Sequence, residues 1–335
     1  MNLDPRSRSV SRRRALVGLG AACAALPARA QPAGAPPWPS GPITIHTAYL
    51  SGGTSHNLGS VTAAQMSIQL RTDVVLQSLP DKSPAALARL VAESAPDGRT
   101  ALLVSNVFIR SAIVNADAGY DPLADFKPVG LIASTEFALV ANARAPFHSL
   151  SRMIELARGR ATPLRVASFG QDSTAHSAAE QLQQLARIPL EVTHYRGQSP
   201  AVAALLAGDQ DLSFINMPEL LPLVRQKRVV VLATAGRRRS PQLAHVPTFT
   251  ELGYPITFSP WYGLVVPAST PDAVVLAFNR ALREAVDSGY LQSILLALGA
   301  APRAGTPADM RDTMAAEAAD LRRILRRPAA APRRP

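Results

Sequence analysis

Cysteine is almost absent from this sequence of 335 residues, and the single cysteine, Cys23, lies in an apolar run near the N-terminus. If that run is removed on export, the remaining chain has no cysteine. This excludes a disulfide, a thiol nucleophile and a cysteine metal site in the folded part. Aromatic residues are also scarce, at 5%, but a hydrophobic fraction of 47% in a chain of this length is enough for two domains with cores.

The folded part also lacks an excess of charge, although the whole chain has a net charge of +11. Residues 1–30 contain six arginines and one aspartate, and residues 322–335 contain six arginines and no acidic residue, so residues 31–321 are neutral. No basic face interleaved with aromatics is present, and no nucleic-acid partner is predicted. Residues 328–335 are predicted to be a disordered basic tail, with a polyanion contact as the alternative.

Residues 1–30 have the pattern of an export signal. Arginines precede an apolar run from Ala15 to Leu26, and Ala28-Arg29-Ala30 is a small-x-small cleavage site. The apolar run is too short to be a stable membrane span. We therefore expect a periplasmic protein that is cleaved after about Ala30, with residues 31–37 as a proline-rich linker.

The same segment bears on the export route and on lipidation. Ser11-Arg12-Arg13 fits a twin-arginine signal, so the general and the twin-arginine export routes both stay open. A lipoprotein signal usually has leucine three residues before its cysteine. Gly20 stands at that position before Cys23, which disfavours lipidation.

After the linker, strand-like and helix-like segments alternate along the chain. ITIHTAYL and LEVTHY are typical of strands, as are TALLVS and DLSFIN, and SPAALARLVAESAPDG is typical of a helix with a Ser-Pro start and a Pro-Asp-Gly end. VPTFTELG predicts a short additional helix. This alternation predicts an α/β fold with mostly parallel sheets.

Small and polar residues follow several of these strands, where the next helix begins. In α/β folds, ligands lie at this carboxyl edge of the sheet. The residues offer backbone N–H groups and hydroxyls rather than fixed positive charges, a set that suits a carboxylate held at helix N-termini. These loops comprise residues 51–55, 105–106, 168–174 and 195–199, together with Asn216.

Eight segments, taken together and in order, carry a family resemblance. They are WPSGPITI, SGGTS, APDGRTALLV, YDPLADFKPVGLIAS, ASFGQDSTAHSAAEQL, HYRGQSPAVAALLAGDQDLSF, RSPQLAHVPTFTELGYP and WYGLVVPASTPDAVVLAFN. Over residues 38 to 326 the chain resembles the receptors of tripartite tricarboxylate transporters, the Bug family of periplasmic solute-binding proteins.

The resemblance implies a periplasmic-binding-protein-like fold of type II, in which two lobes joined by two crossing strands close on a ligand like a hinged trap. The first lobe would comprise residues 38–136 plus 263–327, and the second residues 137–262. The implied function is capture of a small organic carboxylate for delivery to membrane transporter subunits. A monomer without cofactor is expected.

The resemblance also implies which residues form the site, because the family binds carboxylates largely through backbone amides and waters. The ligand-binding residues expected by position are Ser51, Gly52, Gly53, Thr54, Ser55, Ser105, Asn106, Ser168, Gly170, Ser173, Thr174, His176, Tyr195, Gly197 and Asn216. The chain departs from the family at His56 and Ile215, where aspartate is usual, and at SLPDKSPAA, where the family is glycine-rich. The identity of the ligand is therefore not transferred.

Two other functions are alternatives to solute capture for transport. A periplasmic sensing partner of a sensor kinase would have the same cleft and a different docking surface. An exported hydrolase-type enzyme is disfavoured, because Ser173 and His176 lack a G-x-S-x-G elbow and an orienting acid. His176 and Glu180 have metal-ligand spacing, but no third ligand lies nearby in the sequence. No catalytic residue and no metal site are therefore predicted.

Overall fold

The computed structural model describes residues 38–49, 51–115, 117–171 and 173–325. The predicted export signal, the linker and the basic tail lie outside the described residues. Within the described part of the chain, no helix combines the length and the apolar character needed to cross a membrane.

Ten α-helices occur among the described residues. They are α1 (Thr54–Leu70), α2 (Pro84–Ala92), α3 (Asn106–Val114), α4 (Leu150–Gly159), α5 (Thr174–Ala186), α6 (Gln198–Ala207), α7 (Met217–Arg225), α8 (Asp272–Asp287), α9 (Gly289–Ala297) and α10 (Pro307–Leu325).

Eleven β-strands alternate with these helices in the described ranges. They are β1 (Ile43–Thr47), β2 (Val74–Ser78), β3 (Thr100–Ser105), β4 (Phe126–Ser134), β5 (Phe137–Asn142), β6 (Leu164–Ser168), β7 (Leu190–His194), β8 (Leu212–Asn216), β9 (Val229–Thr234), β10 (Trp261–Pro267) and β11 (Ala301–Pro302).

The strands form two separate sheets, which confirms the predicted α/β fold. The first sheet has the order β11-β4-β10-β3-β1-β2, and the second has the order β7-β6-β8-β5-β9. Each sheet has apolar layers on both faces. In the first sheet, α1, α8 and α9 cover one face and α2, α3 and α10 the other. In the second, α4 and α5 lie opposite α6 and α7.

The sheets are mixed, and the prediction of mostly parallel sheets is wrong in this respect. β1 is parallel to β2 and β3, and β6 is parallel to β7 and β8. In contrast, β10 is antiparallel to both of its long neighbours, and β5 is antiparallel to β8 and β9. The reason is that β10 enters the first sheet from the second and β5 enters the second from the first, so each runs against its neighbours.

Two crossings connect the sheets, as the predicted hinge requires. Thr135 and Glu136 join β4 to β5, and Pro260 leads back into β10. The Thr135 N–H donates to the Pro260 carbonyl at 2.8 Å, and the Ser259 hydroxyl donates to the Thr135 carbonyl at 3.4 Å. The two crossings are therefore hydrogen-bonded to each other at the point where the chain passes between the sheets.

VPTFTELG forms turns rather than the predicted short helix. The Thr234 N–H donates to the Pro247 carbonyl at 3.0 Å, and the Phe249 N–H donates to the Thr234 carbonyl at 2.9 Å. A capping-type pair is present, since the Thr248 N–H donates to Glu251 and the Glu251 N–H donates to the Thr248 hydroxyl. The backbone bonds to Thr234 hold the segment against the end of β9, and this pairing competes with a helix.

Candidate functional site

The SGGTS loop connects β1 to α1 and leaves the start of that helix open. Gly53 is the N-cap residue of α1, with extended backbone and no side-chain cap, and the first turn has no acidic residue. Gly52 has a φ of 87°, in the left-handed region that favours glycine. Thr54 and Ser55 are buried behind it. The loop therefore gives this helix start, which carries partial positive charge, no cap from its own N-cap side chain.

Glu219, in the first turn of α7, meets this helix start from the second sheet. Its Oε1 accepts a hydrogen bond from the Thr54 N–H at 2.9 Å and another from the Thr54 hydroxyl at 3.3 Å. Burial raises the pKa of Glu219 from its ordinary value of 4.5 to about 7, and the bonds from Thr54 only partly oppose this rise. A protein carboxylate thus occupies the position at α1 that the sequence predicts for an anion.

Sequence reasoning missed Glu219. The available signal was local: Asn216 is the N-cap residue of α7, Pro218 lies in its first turn, and Glu219 is the acidic residue of that turn. This pattern is an ordinary helix start, in which an acidic residue complements the helix dipole. Nothing in it indicates that the side chain reaches the start of a second helix.

A second contact joins the sheets at the starts of α3 and α5. The side-chain nitrogen Nδ2 of Asn106 donates to the hydroxyl oxygen of Thr174 at 2.6 Å, and both residues are buried. Ser105 precedes α3 as its N-cap residue and accepts from the Val107 N–H at 3.4 Å. The predicted residues Asn106 and Thr174 are therefore brought together across the two sheets.

The loop between β6 and α5 is held by its own hydroxyls. The Ser168 hydroxyl and the Ser173 hydroxyl both donate to the Gly170 carbonyl, at 2.9 and 2.7 Å, and lie 2.9 Å from each other. Ser173 also caps α5 by accepting from the His176 N–H at 3.2 Å. Ser168 and Ser173 thus shape this loop through their side chains, while Gly170, with a φ of 137°, provides its left-handed turn.

His176 lies on the flank of α5. Its Nδ1 contacts the Gln171 carbonyl, its Nε2 lies 3.4 Å from a Glu180 oxygen, and its ring packs edge-on against His194 at a centroid distance of 4.8 Å. Among the described residues there is no cluster of three histidine, cysteine, aspartate or glutamate side chains that could hold a metal ion. Both ring nitrogens of His176 are therefore engaged within its own loop and helix.

Asn216 lies at the centre of a polar network next to the hinge. Its Oδ1 accepts from the Thr135 hydroxyl at 3.0 Å, and its Nδ2 donates to Gln198 Oε1 at 3.1 Å and to the Tyr262 hydroxyl at 3.2 Å. Burial raises the pKa of Tyr262 well above its ordinary range, so its hydroxyl stays neutral. One amide thus connects α6, α7, the hinge and β10.

Tyr195 and Gly197 occupy the loop that leads into α6. Gly197 is the N-cap residue of α6 with a φ of 110°. The Tyr195 N–H donates to the Ser168 carbonyl at 2.7 Å, which ties this loop to the one before α5. The Tyr195 hydroxyl accepts from Gln210 beyond the far end of α6, at 3.2 Å. The backbone of Tyr195 is therefore near the other predicted residues, and its hydroxyl is bonded elsewhere.

A cavity of about 410 Å³ lies away from these residues, on the second sheet. The side chains around it come from the start of α4, the end of α7, β9 and the segment that contains His245. None of the predicted site residues lines it. The predicted site residues therefore lie at the other helix starts and not around this cavity.

The two sheets are joined by two hydrogen-bonded crossings, and polar helix starts on the two sheets face each other. This arrangement defines a two-lobed periplasmic-binding-protein-like receptor. The profile of the family described as "Tripartite tricarboxylate transporter family receptor" matches residues 59–328. The chain belongs to this family.

Sequence similarity to known proteins covers most of the chain. The protein BugT of Bordetella pertussis is 29% identical over 312 residues, which cover 92% of this chain and 95% of BugT. A protein encoded in the gbd 5′ region of Cupriavidus necator is 30% identical over 283 residues, which cover 84% of this chain and 86% of that protein.

Solved structures have the same fold. Rpa4515 of R. palustris, determined with adipate, has a TM-score of 0.81 at 27% identity and covers 86% of this chain and 97% of its own. The periplasmic binding protein BugD has a TM-score of 0.80 at 22% identity and covers 86% of this chain and 97% of its own. The type II two-lobed fold is thereby confirmed.

Proposed function

We propose that this receptor works in the periplasm, where it captures a small organic carboxylate between its lobes and delivers it to membrane transporter subunits. One observation carries the proposal: helix starts on the first sheet are hydrogen-bonded to helix starts on the second. The start of α1 contacts the start of α7, and the start of α3 contacts the start of α5. The lobes would be residues 38–136 plus 263–327 and residues 137–262, and the export signal would be cleaved after about Ala30.

The chemistry of the helix starts supports a carboxylate. Each start offers N–H groups, and a negative charge near a helix N-terminus is stabilised by about 0.3–1 kcal/mol, up to about 2 kcal/mol when partly buried. Hydrogen bonds to a charged group contribute about 1.5–3 kcal/mol each. Several such contacts, made from both lobes, would hold an acid that is released unchanged when the lobes open.

The relatives support the same class of ligand. Rpa4515, which is 27% identical, was determined with adipate, a small dicarboxylate. A sensing partner of a sensor kinase would have the same cleft, but no observation favours it. We propose no enzymatic activity, because the hydroxyls of Ser168 and Ser173 donate to a carbonyl of their own loop. The receptor would act as a monomer without cofactor.

The test is a thermal-shift screen of the purified mature protein against small mono- and dicarboxylates. A ligand that binds only the folded state adds about 2.7 kcal/mol of stability at 100 times its dissociation constant, so a clear rise of Tm is expected with one class of acid. A panel without any rise would contradict the proposal.

A matched pair of variants locates the effect. Thr174→Val removes a hydroxyl at the meeting point of α3 and α5 and should diminish the rise of Tm. Thr313→Val removes a hydroxyl that donates only to Asp309 within α10 and should preserve it. Equal rises in both variants would place the bound acid away from the helix starts.

A further inference from the structure

The contact between Glu219 and Thr54 uses one of the two carboxylate oxygens of Glu219. Both hydrogen bonds from Thr54 end on Oε1. Within the described residues, Oε2 accepts no hydrogen bond. It is also accessible to solvent, because the fully buried side-chain atoms without a partner do not include it. An acceptor is thus available at the edge of the helix starts where the carboxylate is proposed to bind.

Among the described residues, no basic side chain forms an ion pair with Glu219. Its pKa is set by burial and by the two bonds from Thr54, with no contribution from a basic side chain of the described residues. The nearby Tyr262 phenol carries no charge either. Burial raises its pKa, and the negative charge of Glu219 raises it further. A second negative charge brought to this end of the cleft would meet Glu219 without compensation.

We propose that Glu219 is a specificity-determining residue that restricts the cleft to solutes with one carboxylate and a hydrogen-bond donor at the opposite end. The solute carboxylate would bind at the starts of α5 and α6. Its donor, a hydroxyl or an amine, would bond to Oε2 of Glu219. This inference rests on the proposed function and narrows the ligand class of the same site.

The reason for the restriction is competition for one helix start. The start of α1 already receives the Glu219 carboxylate, and two carboxylates that share a site cannot both ionise without cost. A dicarboxylate would have to place its second charge next to Glu219 or displace it. A solute with a donor instead adds a hydrogen bond to Oε2, and hydrogen bonds to charged groups contribute about 1.5–3 kcal/mol each.

The experiment is calorimetric titration of the purified protein with three acids of equal chain length. The set is a plain monocarboxylate, the same acid with a terminal hydroxyl and the same acid with a second terminal carboxylate, such as hexanoate, 6-hydroxyhexanoate and adipate. A parallel set with a terminal amine separates the two kinds of donor. The titrations are run at about pH 8, where a group with a pKa of about 7 is mostly ionised.

We expect the wild-type protein to bind the hydroxy or amino acid at least about tenfold more tightly than the dicarboxylate, a difference of about 1.4 kcal/mol. Glu219→Gln keeps the shape and removes the charge, and it should reverse this order by strengthening dicarboxylate binding. Glu155→Gln, which removes an exposed carboxylate on α4, is the matched control and should leave the order unchanged.

Two results would overturn the inference while the proposed function stands. One is a wild-type preference for the dicarboxylate, and the other is an unchanged order in Glu219→Gln. Glu219→Ser, which also removes the charge, serves if the glutamine variant does not fold. If no acid of any set binds to any of the proteins, the proposed function itself fails together with the inference.

Discussion

Asn106 and Thr174 lie on helices that pack against different sheets, and the Asn106 side-chain nitrogen lies 2.6 Å from the Thr174 hydroxyl. Each residue starts a helix, and each is buried. This hydrogen bond joins the two lobes without any charged group. If the lobes close on a solute as proposed, this contact would favour closure for every solute alike, whereas Glu219 would distinguish between solutes.

Asn106→Ala should weaken the binding of all carboxylates by a similar factor. A buried hydrogen bond contributes about 0.5–1.5 kcal/mol, so we expect affinities to fall by about 2- to 13-fold. Calorimetric titration with a mono- and a dicarboxylate checks this. Asn115→Ala, at the exposed end of the same helix, is the control and should leave both affinities unchanged. A loss confined to one class of acid would contradict the role given to Asn106.

Glu219 should make the stability of the unliganded protein fall as the pH rises from about 4.5 to about 7. Its pKa is about 7 in the folded state and 4.5 ordinarily, so between these values the folded state holds a proton that the unfolded state has released. The stabilisation from this proton is complete below the lower value and is lost as the pH passes the higher one.

Thermal unfolding of wild type and Glu219→Gln across this range measures the effect. The Tm of the variant relative to wild type should rise from about pH 5 to about pH 7 and then level off. The difference isolates Glu219 from Glu136 and Glu317, whose pKa values burial also raises. Glu155→Gln should show no such trend. A difference that stays constant with pH would show that Glu219 is not buried as described.

Gly52→Ala should destabilise the protein through backbone strain alone. An added Cβ meets no atom within 4 Å, but the φ of 87° is a left-handed conformation that costs other residues about 1–2 kcal/mol. Denaturant unfolding should show a loss of that size. Gly159→Ala, which also has no atom within 4 Å but lacks the positive φ, should be neutral or stabilising. Equal effects at both positions would exclude strain as the cause.

Asn216→Ala should cost more stability than single changes at exposed polar residues. It removes the partner of Thr135, Gln198 and Tyr262 at once, in a buried place. A buried polar group left without a partner costs about 1–3 kcal/mol. Denaturant unfolding of this variant beside Asn57→Ala, whose side chain donates only to an exposed loop carbonyl, measures the difference. Similar losses in the two variants would contradict the network.

The sequence was sufficient for the features that are local. The alternation of strands and helices predicts the α/β fold, and the polar residues after the strands predict where Thr54, Asn106 and Thr174 lie. It was insufficient where distant segments decide the outcome. The direction of β10 depends on the sheet from which the chain arrives. Glu219 acquires its role from Thr54, which lies 165 residues earlier in the chain.

The decisive measurement is a crystal structure of the protein with the acid that gives the largest rise of Tm. We predict that the carboxylate oxygens accept hydrogen bonds from backbone N–H groups and hydroxyls at the starts of the helices that face each other across the two sheets, with Thr174 among the contacting residues. An acid bound instead in the cavity of about 410 Å³ beside β9, with the helix starts unchanged, would contradict the account.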